Sequence, residues 1–296
     1  MDKTQEIMQK VRRIEMQARR LATATFAGQY RSGFRGQGLD FDDFREYTPG
    51  DEPRFIDWKV TARTGTPYVR KFHEEREQTL LLTIDVSGSM LYAGSQSPDT
   101  KREYAARIAA TLAYSAALNG DKTGLLLFGC KPHIYLPPIK GVQQCLRIVR
   151  EILTAPAGGN DEPVETVVNE VLRTQRKRTL LFLMSDYLFA PDKQAIGKLN
   201  FRHELIPVIL NDPMELALPA AGRIYAQNPE TGLQVEANLA DAGLRATHAK
   251  AVHSHYADWD KLFTQLAIDS IHLQTTQDFM PHLRRMFKRR SRLIVR

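Results

Sequence analysis

The chain has 296 residues, of which 43% are hydrophobic and 25% charged; this is globular composition and excludes a disordered, collagenous or fibrous chain. The net charge is +7, yet residues 281–296 alone hold seven basic side chains, among them Arg284, Arg285, Lys288 and Arg289, and no acidic one. The body is therefore neutral, and its basicity says nothing in favour of a nucleic-acid-binding class.

The first predicted element is a helix. Ile7, Val11, Ile14, Ala18 and Leu21 recur at spacings of four and three, one apolar stripe with Lys and Arg opposite. Met1-Asp2-Lys3-Thr4-Gln5 ahead of it is polar, unlike a secretory leader. The longest apolar runs, 79–86 and 179–184, are strand-sized and far short of the roughly 20 residues that cross a bilayer. A soluble, cytoplasmic protein is expected. Glycines over 28–38 predict a loop.

Residues 39–78 interleave charge with aromatics, and Pro49-Gly50 marks a turn. Arg45, Arg54 and Arg63 facing Glu46, Asp51 and Asp57 predict bidentate pairs that lock an irregular segment against the sheet, with Trp58 buried. An exposed recognition surface is the alternative. Residues 68–72 alternate weakly and predict an edge strand leading into the core.

From residue 79 the pattern is regular. Leu80 to Ile84 is an unbroken apolar run ending in Asp85, as in a central strand covered on both faces. A helix starts at 98–100, where Thr100 and Glu103 have capping-box spacing, and ends at Gly120. Strands are predicted over 124–128 and 133–136, helices over 142–153 and 163–172, and a second apolar strand over 180–186 that ends in Asp186. Then come a strand at 204–210, a hairpin over 222–239 turning at 228–232, a helix over 244–266, a short strand at 270–273 and a closing helix over 277–287. The expected fold is α/β, a mainly parallel central sheet flanked by helices, with an N-terminal helix and irregular extension. The expected division is 1–78 and 79–296. Sites in such sheets lie at the carboxyl ends of the strands, so Asp85 and Asp186 should share one crevice.

Asp85-Val86-Ser87-Gly88-Ser89 has the form D-x-S-x-S. Positions 85, 87 and 89 can turn their oxygens to one side of an extended loop. Carboxylate and hydroxyl oxygens are hard donors suited to Mg²⁺ or Mn²⁺. Two neutral hydroxyls leave such an ion short of negative charge, so a carboxylate from elsewhere can complete it. The alternative is a loop whose serines only cap the following turn.

This loop resembles the metal-ion-dependent adhesion site of von Willebrand factor A-like domains. The resemblance implies a second Asp after a later strand, which Asp186 matches. It also implies a threonine after a Gly-Gly pair; Ala157-Gly158-Gly159-Asn160 stands there, so Asn160 replaces it with an amide oxygen of different reach. Upstream, Phe34-Arg35-Gly36-Gln37-Gly38, then Arg45-Glu46-Tyr47-Thr48-Pro49-Gly50-Asp51, then Arg54-Phe55-Ile56-Asp57-Trp58 and Thr61-Ala62-Arg63-Thr64-Gly65 resemble the signature of the bacterial family called domain of unknown function 58. That resemblance spans nearly the whole chain. It implies a MoxR-type AAA+ ATPase as partner, a class thought to act as chaperones.

Other constellations are weaker. His248, His253 and His255 near Asp258 and Asp260 read as a partly buried helix rather than a zinc site. Gly120-Asp121-Lys122-Thr123 lacks the glycines of a phosphate loop. Cys130 and Cys145 have neither redox nor zinc spacing. Haloacid-dehalogenase-like phosphatases also place an Asp after the first strand, but they carry an acid/base Asp two residues on, where this chain has Ser87. The basic tail reads as the outer side of a final helix with Leu283, Met286 and Phe287 inward; docking on an acidic partner, anionic lipid or nucleic acid is the alternative. The reading with most support is a non-enzymatic cytoplasmic adaptor that holds Mg²⁺ or Mn²⁺ on Asp85, Ser87, Ser89, Asn160 and Asp186. A metal-dependent phosphohydrolase using Asp85, and a basic-tail binder, are its rivals.

Overall fold

A computed structural model describes residues 3–22, 24–33, 40–73, 77–158 and 163–294. Its elements in chain order are α1 (Lys3–Leu21), α2 (Ala24–Gly33), β1 (Asp40–Glu46), α3 (Trp58–Thr64), β2 (Tyr68–His73), β3 (Thr79–Asp85), α4 (Lys101–Leu118), β4 (Lys122–Phe128) and β5 (Ile134–Ile139). There follow α5 (Val142–Thr154), α6 (Val164–Thr174), β6 (Leu180–Ser185), α7 (Lys193–Arg202), β7 (Glu204–Asn211), α8 (Pro213–Leu216), β8 (Arg223–Gln227), β9 (Gln234–Asn238), α9 (Ala242–Gln265), β10 (Ile271–Gln274) and α10 (Met280–Ile294).

The chain forms two compact units, residues 1–34 with 79–296, and residues 35–78. A division does fall at 78, but residues 1–34, expected in the N-terminal part, join 79–296. The stripe of α1 is the reason: Val11, Ile14 and Ala18 are buried in the same apolar cluster as α4, α5 and the central strands, so the first helix belongs to the larger unit. The predicted loop over 28–38 is also partly helical, because α2 runs to Gly33. Its Phe26 and Tyr30 pack edge-on against Phe287 of α10 at 5.4 and 5.7 Å between ring centres, an arrangement that adds about 0.5–1.5 kcal/mol per pair beyond area.

In the larger unit a six-stranded sheet has the order β10-β7-β6-β3-β4-β5. Every neighbour pair is parallel except β4–β5. β3 lies between β4 and β6 and helices cover both of its faces, so Leu80 to Ile84 meets no water and contains no charge for that reason. Leu80, Leu82 and Ile84 enter the cluster covered by α1, α2, α4, α5 and α10. Leu81 enters the opposite cluster with α6, α7 and α9. The period of two along the strand thus separates two cores. β5 is the antiparallel edge, where Pro137 and Pro138 are tolerated because no further strand needs their missing N–H. The capping box at Thr100 and Glu103 forms as predicted, and Gly120 leaves α4 at φ +76°. The hairpin at 222–239 and the closing helix are present; Leu283, Met286 and Phe287 face inward, while Arg289 and Arg290 pair with Asp269 and Glu204. Among the described residues no helix is long and apolar enough to cross a membrane.

The smaller unit is more regular than expected. β1 and β2 form their own antiparallel pair, so 68–73 is not an edge of the central sheet. The charged signature works locally. Arg45 grips Asp51 bidentately at 2.6 and 2.7 Å, holding that carboxyl well below the usual range. Asp57 caps α3 by accepting from Lys59 N and Val60 N. Arg54 lies over the Phe55 ring at 4.8 Å and pairs with Glu52. Each of these interactions is internal to the unit. Trp58 is 70% exposed at the first turn of α3, against the expectation of burial.

Candidate metal centre

The carboxyl ends of β3, β4 and β6 open into a cleft of about 830 Å³ whose lining includes Asp85, Ser87, Ser89, Asp186, Phe189 and Glu230. Asp85 is the last residue of β3 and is 4% exposed. Its Oδ1 accepts from Ser87 N at 2.9 Å, and its Oδ2 accepts from Ser185 Oγ at 2.7 Å. Those two donors fix the carboxylate. Gly129, at the end of β4, leaves room for it: at φ +73° a Cβ there would stand 2.8 Å from both Asp85 Oδ1 and Ser87 N. Burial, and then Asp186 across the cleft, raise the Asp85 carboxyl to about 6.

The loop brings its two hydroxyls together. Ser87 Oγ and Ser89 Oγ are 3.2 Å apart, close to the edge of an octahedron built on bonds of about 2.0–2.1 Å. The segment leading to Asn160 lies alongside: Gly158 bridges to Ser87, and Gly88 N donates to Gly158 O at 3.1 Å. Arg102 of α4 clamps both strands of this arrangement by donating to Ala155 O and Val86 O. Asn160 itself lies outside the described residues.

Asp186 follows β6 and is held differently from Asp85. Its Oδ2 accepts from Lys101 Nζ at 2.8 Å, and the same ammonium donates to Glu215 of α8 at 2.6 Å. Lys101 is fully buried; desolvation lowers its pKa, but Asp186 and Glu215 together raise it further, so it stays charged. Sequence reasoning missed Lys101 because it reads as an ordinary helix-start residue. Behind Asp186, Tyr187 adopts φ +56°, the left-handed region. A cage holds it there. Tyr187 O accepts from His255 Nε2 at 2.7 Å and from Trp259 Nε1 at 3.1 Å, and its ring packs edge-on to Trp259 at 4.9 Å. His255 and Trp259 of α9 thus position the end of β6, while His272 pairs with Asp260 at 2.8 Å.

Among the described residues no group of three His, Cys, Asp or Glu side chains is placed to hold a metal. The donors here are of another kind: one carboxylate, two hydroxyls and a second carboxylate braced by a buried ammonium. That set is all oxygen and fits a hard cation. Asp186 already has a cation as partner, so it suits a role through water better than a direct bond.

The sheet order and the flanking helices define an α/β domain with a mainly parallel central sheet, and the D-x-S-x-S loop stands at the carboxyl end of its strand β3. The chain belongs to the family described as protein of unknown function DUF58, whose model matches residues 43–258. It is 27% identical over 286 residues to the uncharacterized protein Rv1480 of Mycobacterium tuberculosis, covering 95% of this chain and 89% of that one. It is also 27% identical over 128 residues to the uncharacterized protein YeaD of Bacillus subtilis, covering 43% and 29% of the two chains. Among solved structures, the conserved hypothetical protein BatB from Bacteroides thetaiotaomicron aligns with a TM-score of 0.46 at 14% identity, over 73% of this chain and 99% of that one. The SpRpn10 VWA domain aligns with a TM-score of 0.38 at 10% identity, over 70% and 94%.

Proposed function

We propose that the chain is a non-enzymatic cytoplasmic adaptor that grips an acidic side chain of a partner protein through Mg²⁺ or Mn²⁺ at the metal loop. The observation that carries this reading is the pair of serine hydroxyls 3.2 Å apart beside the buried carboxylate of Asp85, lining one cleft. Asp85, Ser87 and Ser89 would hold the cation, Asp186 would steady it through water, and Asn160 would add an amide oxygen. When bound, the cation supplies a Lewis-acidic position that a carboxylate can fill. The protein's own part is to orient the donors: Ser185 and Ser87 N fix Asp85, Arg102 fixes the loop, and Lys101 fixes Asp186. A binding role needs no acid/base residue, and Ser87 offers none. The family resemblance supports a MoxR-type AAA+ ATPase, or its client, as the partner.

The test is capture of such an ATPase by the tagged chain in Mg²⁺, in EDTA, and with Asp85→Ala. Capture in Mg²⁺ that is lost in the other two supports the metal grip. Equal capture in all three rejects it. No turnover of phosphate esters is expected, and phosphate release abolished by Asp85→Asn would move the reading to a phosphohydrolase.

A further inference from the structure

We propose that the β8–β9 hairpin is a built-in occupant of the metal-loop cleft, with Glu230 standing where a partner's carboxylate would bind, so that capture of a partner requires the hairpin tip to leave. This rests on the reading above that the loop takes a cation, and it concerns how that site is regulated.

The hairpin is built as an arm. β8 and β9 pair with each other and form a two-stranded sheet apart from the central one. Tyr225 and Leu233 are 78% and 65% exposed, so little apolar surface would be uncovered if the arm moved. Its tip, in contrast, is preordered. Asn228 Oδ1 accepts from Glu230 N at 2.8 Å and Thr231 N at 3.1 Å, and Asn228 O accepts from Gly232 N at 2.8 Å. These bonds present Glu230 at the end of the arm.

That tip sits on the metal loop. Glu230 Oε1 accepts from Ser89 N at 2.7 Å, across 141 residues of chain. Pro229 covers Gly88 so closely that a Cβ there would stand 2.6 Å from Pro229 O. The glycine in the loop therefore admits the tip as well as the turn. The second carboxylate oxygen, Glu230 Oε2, is buried without a hydrogen-bond donor. A buried acceptor left unpaired is destabilising, more so when charged. It also shares a cleft with Asp85 and Asp186, a third negative group against two others. Two states relieve this. In one, a cation on the loop is ligated by Glu230 and the arm is seated. In the other, the arm lifts and an external carboxylate takes the position. A two-state element biased by ligands is what a regulated binding site requires.

The experiment follows Mn²⁺ binding to the full chain by electron paramagnetic resonance and water-proton relaxation, with acetate as the carboxylate probe. The variants are Glu230→Ala, Glu230→Gln and Asp85→Ala, each checked for folding by circular dichroism. Wild type should bind Mn²⁺ and ignore acetate. Glu230→Ala should bind it several-fold more weakly, gain an inner-sphere water, and lose that water again when acetate is added. Glu230→Gln, which keeps the Ser89 contact but not the charge, should follow Glu230→Ala. If Asp85→Ala loses Mn²⁺ while both Glu230 variants match wild type in hydration and acetate response, the hairpin is not an occupant and the metal site stands. If neither wild type nor the Glu230 variants bind Mn²⁺, the cation reading and this one fall together.

Discussion

Asp85 carries an electrostatic cost that its surroundings only partly offset. Hydrogen bonds from Ser87 and Ser185 favour its charge, while burial and Asp186 oppose it, and the carboxyl is raised from 3.8 to about 6. In the unfolded chain it ionises near 3.8. Between those two values the folded protein binds more protons than the unfolded one, so the metal-free protein loses stability as pH rises through this window. A shift of about two pH units corresponds to a loss on the order of 2–3 kcal/mol. Urea midpoints in EDTA should therefore fall between pH 4 and 6.5 by more in wild type than in Asp85→Asn, whose amide can still accept from Ser87 N. Above pH 6.5, Mg²⁺ should recover the loss in wild type and not in the variant. A wild-type pH profile parallel to that of Asp85→Asn would show that Asp85 is ionised at no cost.

Lys101 joins three elements at one atom: α4, which carries it, the end of β6 through Asp186, and α8 through Glu215. Removing one partner of a buried ion pair typically costs about 3–5 kcal/mol, because the other charge is left uncompensated. Lys101→Met should lose stability of that order in chemical denaturation. Adding Glu215→Gln should return part of it, since Asp186 is then the only carboxylate left unpaired; no recovery would mean the lysine's packing matters more than its charge. β3 and α4 were legible because their signals, an unbroken apolar run and a capping box, are local, and so was the Asp85–Ser87–Ser89 loop. Long-range partners were not. Lys101 and Asp186 are 85 residues apart, and Ser89 and Glu230 are 141 apart; no spacing rule connects them. α7 and α8 went unread as well. Each is short, and α8 is a four-residue turn set by the Asp212 and Glu215 capping box rather than by a stripe.

At the scale of the whole molecule, the signal that misled was a change of texture. Charged, aromatic-rich sequence before residue 79 gives way to clean alternation after it, and a boundary at 78 follows from composition alone. Burial keeps that boundary and adds a second at 34, because α1 and α2 cover the outer face of α4, α5 and α10 while residues 35–78 form a unit of their own. The energetic weight of that covering is testable. Val11, Ile14 and Phe26 are each at least nine-tenths buried, and at about 1.5–3 kcal/mol per side chain they contribute on the order of 5–9 kcal/mol. That is comparable to the whole stability of a typical domain, about 5–15 kcal/mol. A chain of residues 79–296 should therefore fail to reach a packed state, even though it contains every strand of the central sheet and every described residue of the metal loop. It should keep far-ultraviolet dichroism, lose near-ultraviolet dichroism and bind a hydrophobic dye, as a collapsed chain with an uncovered core does. Cooperative unfolding of residues 79–296 at the midpoint of the full chain would show instead that the two N-terminal helices are an appendage, and that the boundary suggested by composition is the physical one.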